Sequence, residues 1–129
     1  MDQTLQVSQA AAELVAAFAS NDTQRYFACF SEDASFVFHT LPQPLLSRQQ
    51  YQTLWQQWQA DGFKVLDCQS SNASITLQGE LAIFIHDVDT RISLNGEEQQ
   101  LAERETILFR RHDSRWLACH EHLSVVSPA

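Results

Sequence analysis

The chain has 129 residues and a mass of 14.7 kDa, which suits one domain with a sizeable buried core. Hydrophobic residues make up 44% of it and charged residues 19%, a composition typical of globular proteins. Eight basic residues stand against sixteen acidic ones, a formal net charge of −8. Because phosphate backbones and anionic lipid surfaces are bound mainly through Lys and Arg, this balance argues against nucleic acid and membrane partners.

Cysteine usage and the N-terminus indicate the compartment. Cys29, Cys68 and Cys119 lie far apart with no Cys-X-X-Cys spacing, which argues against a disulfide framework or a zinc site. The N-terminus lacks the regions of a signal peptide, and no apolar run approaches the roughly 20 residues of a membrane span. We expect a soluble cytoplasmic protein that forms a single domain, residues 1–129, and uses no cofactor.

Two helices are predicted first in chain order. Ser20-Asn21-Asp22 interrupts the first helical pattern, and Asp22 is a suitable N-cap for a second, short helix that runs to Phe30. The apolar residues of the first helix recur at three- and four-residue spacing: Val7, Ala10, Ala11, Leu14, Val15 and Phe18.

A strand and a third helix follow. The strand is predicted from Ala34 to His39, with Phe36 and Phe38 on one face. The third helix has an apolar stripe that suits either the core or a ligand-binding wall, and both readings of its tryptophans stay open. The stripe is formed by Tyr51, Leu54, Trp55 and Trp58.

The ends of the third helix carry clear local signals. Ser47 and Gln50 have the spacing of a capping box, and Leu46 is placed to pack on Tyr51 as a hydrophobic staple. Gly62 lies where a left-handed residue commonly ends a helix.

Alternating sequence predicts four long strands in the remainder of the chain. They lie near 63–77, with an interruption around 70–72, and near 81–93, 99–111 and 115–125. Asn95-Gly96 and Asp113-Ser114 are the predicted turns. Helices followed by a strand meander predict an α+β fold, in which three helices pack on a curved antiparallel sheet and leave room for a pocket.

The alternation of the last strand predicts which residues face the helices. The more apolar set, Leu117, Cys119, Leu123 and Val125, is expected to point inward, and Trp116, Ala118, His120, His122 and Ser124 outward. Pairing Phe109 with Leu117 and Ile107 with Cys119 then places Glu105 directly across from Glu121 on the inner face.

Glu121 and Glu105 are therefore the candidate catalytic residues. Two neighbouring, partly desolvated carboxylates repel each other, so the pKa of one should rise toward the range useful for proton transfer. The alternative is that both glutamates lie at a wet rim, paired with Arg91 or Arg104. Whether Asp87 or His86 joins the cluster stays open.

Other motifs point away from metal or nucleophile chemistry. His120 and His122 share a strand face, but two ligands do not make a metal site, and a dimer interface or solvent suits them better. The chain contains no GxSxG, glycine-rich phosphate loop or HExxH motif. We expect the pocket to be lined by Tyr26, Phe36, Phe38, Trp55, Trp58, Ile107, Phe109, Cys119 and Leu123.

Two stretches of the chain resemble the SnoaL-like branch of the nuclear transport factor two-like superfamily, whose fold is called a cystatin-like cone. The last third is also similar to the association (hub) domain of calcium/calmodulin-dependent protein kinase. The matching residues are Tyr26-Phe27-Ala28-Cys29-Phe30-Ser31-Glu32-Asp33-Ala34, and Arg104-Glu105-Thr106-Ile107-Leu108-Phe109-Arg110-Arg111 with Trp116 and His120-Glu121-His122-Leu123-Ser124.

The resemblance implies a cone-shaped domain, usually a homodimer built through its sheet, with a pocket at the open end. It does not imply one function, because the superfamily includes isomerases, dehydratases and assembly domains. The chain also departs from particular members. It has Ile107 and Leu123 where the hub domain has cavity arginines, and it has no tyrosine in its first helix, where the steroid isomerases carry one.

Two functional hypotheses follow. The first is a non-catalytic, homodimeric binding or assembly domain, whose mostly apolar pocket is acidic at one end and either accepts a small, largely apolar ligand or serves mainly as core. The second is a cofactor-free isomerase, lyase or hydrolase-like enzyme with Glu121 or Glu105 as general acid or base, and Tyr26, His39 or His86 polarising the substrate.

Overall fold

The computed structural model describes residues 2–126, and its elements confirm the predicted α+β class. Three helices and five strands follow each other along the chain. They are α1 (Gln3–Ser20), α2 (Thr23–Phe27), β1 (Phe30–Phe38), α3 (Arg48–Ala60), β2 (Phe63–Gln78), β3 (Leu81–Leu94), β4 (Glu97–His112) and β5 (Arg115–Val125).

The five strands form one curved, unclosed sheet in the order β1-β5-β4-β3-β2. The strands from β2 to β5 make an antiparallel meander, as the turn signals predict. β1 lies at the edge and runs parallel to β5, so the sheet is mixed. Side-chain alternation could not reveal this direction, because it is the same in parallel and antiparallel pairs.

Asn21 ends α1 and ties it to the sheet. Its backbone takes the left-handed conformation, with φ of 61°. Its side chain accepts a hydrogen bond from the Val65 N–H and donates one to the Val65 carbonyl, both at 2.8 Å. Asp22 caps α2 as predicted, but α2 ends at Phe27 and Phe30 already begins β1. The predicted second helix was therefore too long.

The ends of α3 follow the predicted local chemistry, with one exception. Ser47 accepts a hydrogen bond from the Gln50 N–H at 3.1 Å, and the Gln50 side chain accepts one from the Leu46 N–H at 2.8 Å. The predicted staple is wrong, because Leu46 is 66% exposed while Tyr51 is buried. Gly62 has φ of 94°, the left-handed conformation expected at this position.

The strand interruption and the hairpin turn were predicted correctly. The pairing of β2 with β3 shifts between Ser71 and Ser74, where Asn72 has φ of 53°. Asn95 and Gly96 both have positive φ, as a two-residue hairpin turn requires.

The predicted register of the last hairpin is wrong by two residues at the glutamates. A two-residue turn makes Phe109 pair with Ala118, and a β-bulge at Cys119 then adds one residue to β5. Glu121 consequently pairs with Ile107, whereas Glu105 pairs with Leu123. The two glutamates are diagonal neighbours on the inner face, a relation in which the Cα atoms are roughly 7–8 Å apart.

The bulge also changes which residues of β5 face the helices, so the predicted inner face is partly wrong. Trp116 and Ala118 before the bulge are buried, and so is Glu121 after it, so all three point toward the helices. Trp116, which we had expected on the outer face, donates from its indole N–H to the Gln6 side chain of α1 at 3.1 Å. Leu117 is only half-buried, and Val125 is 61% exposed.

Aromatic packing closes one end of the space between helices and sheet. Trp55 of α3 is fully buried and donates its indole N–H to Thr23 of α2 at 3.1 Å. Phe30 and Phe36 of β1 stack edge-on with centroids 5.2 Å apart. Among residues 2–126, no helix combines the length and apolar character of a membrane span.

Candidate functional site

A cavity of about 930 Å³ lies between the helices and the inner face of the sheet. Its wall is mostly apolar, with aromatic side chains from all three helices and from the strands. The apolar lining includes Leu14, Phe18, Phe38, Trp58, Phe63, Val88, Ile92, Leu101 and Leu123.

Four carboxylic acids interrupt this apolar wall. Glu103 and Glu105 come from β4, Glu121 from β5, and Asp61 from the end of α3. Within the described part of the chain, no Lys, Arg or His belongs to the cavity lining. The cavity is therefore acidic, and its carboxyl groups come from both the sheet and the end of α3.

Glu121 is the most deeply placed of these acids. Its side chain is 1% exposed, and its Oε2 atom has no hydrogen-bond partner among the described residues. Burial raises the pKa of Glu121 well above the ordinary value of 4.5, and the neighbouring charge of Glu105 raises it further. A neutral carboxylic acid at this position can donate a hydrogen bond or a proton.

Tyr26 of α2 and Tyr51 of α3 line the cavity together with Glu121. Their hydroxyl oxygens are 2.9 Å apart and share one hydrogen bond, with either group as donor. Burial is the main cause that raises the pKa of each tyrosine well above 10.0, and the charge of Glu121 contributes to both. Both phenols therefore stay protonated, and one of the two O–H groups remains available to a ligand.

His86 holds Glu105 in place. Its Nε2 lies 2.8 Å from Glu105 Oε1, and its Nδ1 lies 2.6 Å from the Ser70 hydroxyl oxygen. With the proton on Nε2, the imidazole donates to Glu105 and accepts from Ser70. His86 is fully buried, and it sits directly opposite Glu105 in the β3–β4 pairing.

A second histidine–glutamate pair lies closer to the end of the sheet. His39, just after β1, contacts the buried carboxylate of Glu103 through Nε2. Both pairs give their glutamate a partner that is cationic when protonated. Among the described residues, Glu121 has no such partner.

The residues predicted for the site divide into two groups. Tyr26, Phe38, Trp58 and Leu123 line the cavity, as do Glu105 and Glu121. The other five predicted wall residues do not line it. Phe36, Trp55, Ile107 and Phe109 are packed in the core, and Cys119 is the bulge residue of β5.

Two questions left open by the sequence now have structural answers. His86 joins the acidic cluster, whereas Asp87 points outward, where its carboxylate accepts from Arg104 at 2.9 Å. Arg91 pairs with Glu98. Neither arginine proposed as a rim partner therefore pairs with Glu105 or Glu121.

Two features of the site were not predicted from the sequence: Glu103 as a lining residue and the polar role of Tyr51. The sequence pattern places both residues on the side of their strand or helix that faces the cavity. Glu103 shares the two-residue alternation of Glu105 and Ile107, and Tyr51 lies one helical turn before Trp55 on the apolar stripe.

His120 and His122 lie on the outer face of the sheet. His120 Nδ1 is 2.7 Å from the Ser35 hydroxyl oxygen of β1. Burial lowers the pKa of His120, and the neighbouring His122 lowers it further. No group of three or more metal-ligating side chains occurs within residues 2–126.

Comparison with known proteins identifies the family. The model of the SnoaL-like domain family matches residues 7–128, nearly the whole chain. The chain belongs to this family. No curated protein sequence matches it.

Solved structures share the fold of this SnoaL-like domain at low sequence identity. A provisionally assigned Ca/calmodulin-dependent kinase II association domain from Exiguobacterium sibiricum is 15% identical with a TM-score of 0.84, over 100% of this chain and 97% of that one. An NTF2-like protein of unknown function in nutrient uptake from Rhodospirillum rubrum is 21% identical with a TM-score of 0.81, over 94% of this chain and 98% of that one. A ketosteroid isomerase-like protein from Erwinia carotovora atroseptica is 14% identical with a TM-score of 0.79, over 96% of each chain.

The substitution Glu121→Gln is expected to remove a pH-dependent loss of stability. The free energy of unfolding of the parent should fall as the pH rises from 4.5 toward the raised pKa of Glu121, because the unfolded chain loses a proton that the folded chain keeps. The contribution of Glu121 to the free energy of unfolding falls by at most about 1.4 kcal/mol per pH unit. Above the pKa of Glu121 in the folded protein, this contribution is constant.

Urea unfolding between about pH 5 and 8 measures this slope. Glu97→Gln, at an exposed position in the β3–β4 hairpin, is the control and should keep the parental slope. Equal slopes in the parent and Glu121→Gln would contradict the assignment of a raised pKa to Glu121.

Proposed function

We propose that this SnoaL-like domain binds a small, largely apolar molecule in the cavity between its helices and sheet. The observation that carries the proposal is the cavity itself. Its volume of about 930 Å³ lies within the range of small-molecule sites, roughly 300–1,000 Å³. Its wall is apolar, and a few polar groups gather around Glu121, as such sites require to orient a ligand.

The contrast between the two ends of the inner face supports this reading. At one end Trp55, Phe36 and Phe109 are almost completely buried and pack as an ordinary core. At the other end the side chains of Phe38, Trp58 and Leu123 leave open space. An unfilled apolar space of this size lowers the stability of a domain, because the side chains around it lose packing contacts. A domain that served only as a scaffold would have no use for such a space.

Binding of Nile red, a neutral and fluorescent apolar dye, tests the proposal. The dye should bind one molecule per chain with a blue-shifted emission. Val88→Trp and Leu123→Trp, which place a bulky ring in the cavity, should each weaken binding by about tenfold or more, since a steric block removes the apolar contacts.

Thr76→Trp, at an exposed position on β2, is the control and should bind the dye like the parent. Circular dichroism confirms that each variant is folded. Dye binding that is absent in the parent, or unaffected by both blocking substitutions, would contradict the proposal.

A second candidate function is cofactor-free acid–base catalysis of the isomerase or lyase type. Glu121 supports it, because a buried acid with a raised pKa can give a proton to a substrate oxygen or take one from an adjacent carbon. Glu105 offers a second carboxyl group nearby, oriented by His86. The ketosteroid isomerase-like neighbour agrees with this class of reaction.

Isomerisation of a β,γ-unsaturated cyclic ketone, followed by the absorbance of the conjugated product, tests this second candidate. Glu121→Gln should lower the rate by about 10²–10⁴, the usual contribution of a positioned acid or base. Glu97→Gln should retain the parental rate. A parent rate no faster than buffer, or equal rates in the parent and Glu121→Gln, would contradict catalysis by this residue.

We further propose that the protein is a cytoplasmic homodimer, formed through the outer face of the sheet. Ile83 pairs with Leu108 on this face, and His120 lies on the other side of Leu108. Ile85, 38% exposed, extends the apolar surface. Such patches are common at protein interfaces. The association-domain neighbour supports assembly, and three free thiols fit a reducing compartment.

Sedimentation equilibrium at micromolar concentration should give about twice the chain mass of 14.7 kDa. Ile85→Asp should shift the protein to the single-chain mass, because it places a charge in the interface, while Gln49→Asp, at an exposed position of α3 on the opposite side of the sheet, should not. A single-chain mass for the parent would contradict the dimer.

A further inference from the structure

The wall of the cavity contains acidic side chains and no basic ones among the described residues. Four of its lining residues are carboxylic acids, and none within the described part of the chain is Lys, Arg or His. Charges interact more strongly in a cavity shielded from water than at the surface. An anionic ligand would therefore be repelled here, and a cationic one attracted.

Glu121 stands apart from the other acids of the sheet. Glu103 contacts His39 and Glu105 contacts His86, so each has a partner within the protein. Glu121 is buried, lines the cavity and leaves Oε2 without a hydrogen bond. Buried polar atoms nearly always have a hydrogen-bond partner. The unpaired oxygen of Glu121 can therefore accept a hydrogen bond from a donor group on a ligand.

Aromatic rings surround the same end of the cavity. Tyr26 and Tyr51 lie beside Glu121, and their ring centroids are 5.9 Å apart. Phe18 lies 5.4 Å from Tyr26, and Phe38 lies 5.2 Å from Tyr51. Aromatic faces attract cations, most strongly where water is excluded.

We propose that the ligand is an amine with an apolar body, whose ammonium group binds at Glu121. One ammonium N–H donates to the Glu121 carboxylate, and the rings of Tyr26 and Tyr51 flank the charge. The apolar body extends along Phe38 and Trp58. This inference rests on the proposed binding function and specifies the class of ligand.

Proton release is a signature of this binding mode. Burial favours the neutral form of Glu121 in the empty cavity, and an ammonium group would favour its ionised form, so binding at a pH below the raised pKa should transfer a proton from Glu121 to solvent. The groups that face Glu121 are Tyr26 from α2, Tyr51 from α3 and Glu105 from β4, while Phe36 of β1 and Ile107 of β4 carry no charge.

Other nearby groups do not supply this proton. The phenols of Tyr26 and Tyr51 stay protonated because burial raises the pKa of both. Burial also raises the pKa of the Cys29 thiol to about 11, so it remains neutral near pH 7. Glu105 already has His86 as its hydrogen-bond partner.

Three probes of matched shape test the inference: 4-phenylbutylamine, 4-phenylbutanol and 4-phenylbutyrate. Calorimetry at several pH values between about 5 and 8, in buffers with different ionisation enthalpies, measures affinity and proton release together on both sides of the raised pKa of Glu121. The amine should bind about tenfold or more tightly than the alcohol, because its hydrogen bond to Glu121 is charge-assisted. The carboxylate should bind most weakly, and only the amine should release a proton.

Glu121→Gln should abolish the proton release and reduce the preference for the amine to about threefold or less, while the affinity for the alcohol stays near that of the parent. Glu97→Gln is the matched control and should behave like the parent. The parent alone provides a test that needs no variant, since its amine-to-alcohol affinity ratio should rise as the pH rises through the raised pKa of Glu121.

The outcomes separate this inference from the proposed function. If the alcohol binds as tightly as the amine, or the amine binds without proton release, the inference is overturned and the binding function stands. If neither these probes nor Nile red bind, the binding function itself is overturned.

Discussion

The bulge at Cys119 is the constraint on which the inner face of the sheet depends. In a regular strand, Trp116 and Glu121 would point to opposite faces, because their positions differ by an odd number. The extra residue turns both inward. Trp116 can then seal the core against α1, while Glu121 lies beneath the tyrosines at the floor of the cavity. The burial of that carboxyl group, and with it the raised pKa, follows from one inserted residue in β5.

Around this floor the protein satisfies its buried polar groups in pairs and leaves one group unsatisfied. The tyrosine hydroxyls bond to each other, His86 supports Glu105, and His39 supports Glu103. Buried polar networks are stable only when their members find partners, so the unpaired Oε2 of Glu121 is exceptional. The proposed binding rests on the volume of the cavity, the proposed proton transfer on the raised pKa of Glu121, and the proposed amine recognition on its unpaired Oε2 and on the lack of basic residues in the described wall.

Local chemistry made much of the fold predictable from the sequence. The conformations of Ser47, Gly62 and the Asn95-Gly96 turn follow local sequence preferences, and the structure has them as predicted. The register of β4 on β5 depends instead on the two-residue turn and on the Cys119 bulge, each of which shifts the predicted pairing by one residue. No residue type predicts the bulge, and Glu105 and Glu121 were therefore paired wrongly. The wall was only partly predictable, because apolar inward residues fill the core and line a cavity alike. Trp55 and Trp58 belong to the same helical stripe, yet only Trp58 reaches the cavity.

The rim of the cavity is held by a contact far from its floor. Gly62, at the end of α3, accepts a hydrogen bond from the Asn95 N–H at 3.3 Å, and both residues line the cavity. A Cβ atom at position 62 would lie 2.4 Å from Asn95 Oδ1 and 3.3 Å from the Asn95 backbone nitrogen, so a larger residue would displace the Asn95 side chain and would be strained at φ of 94°. The residues that hold this edge of the cavity are thus distinct from the carboxyl groups of β4 and β5. A substitution at one of these places leaves the other unchanged, so the shape of the edge and the chemistry around Glu121 can be altered separately.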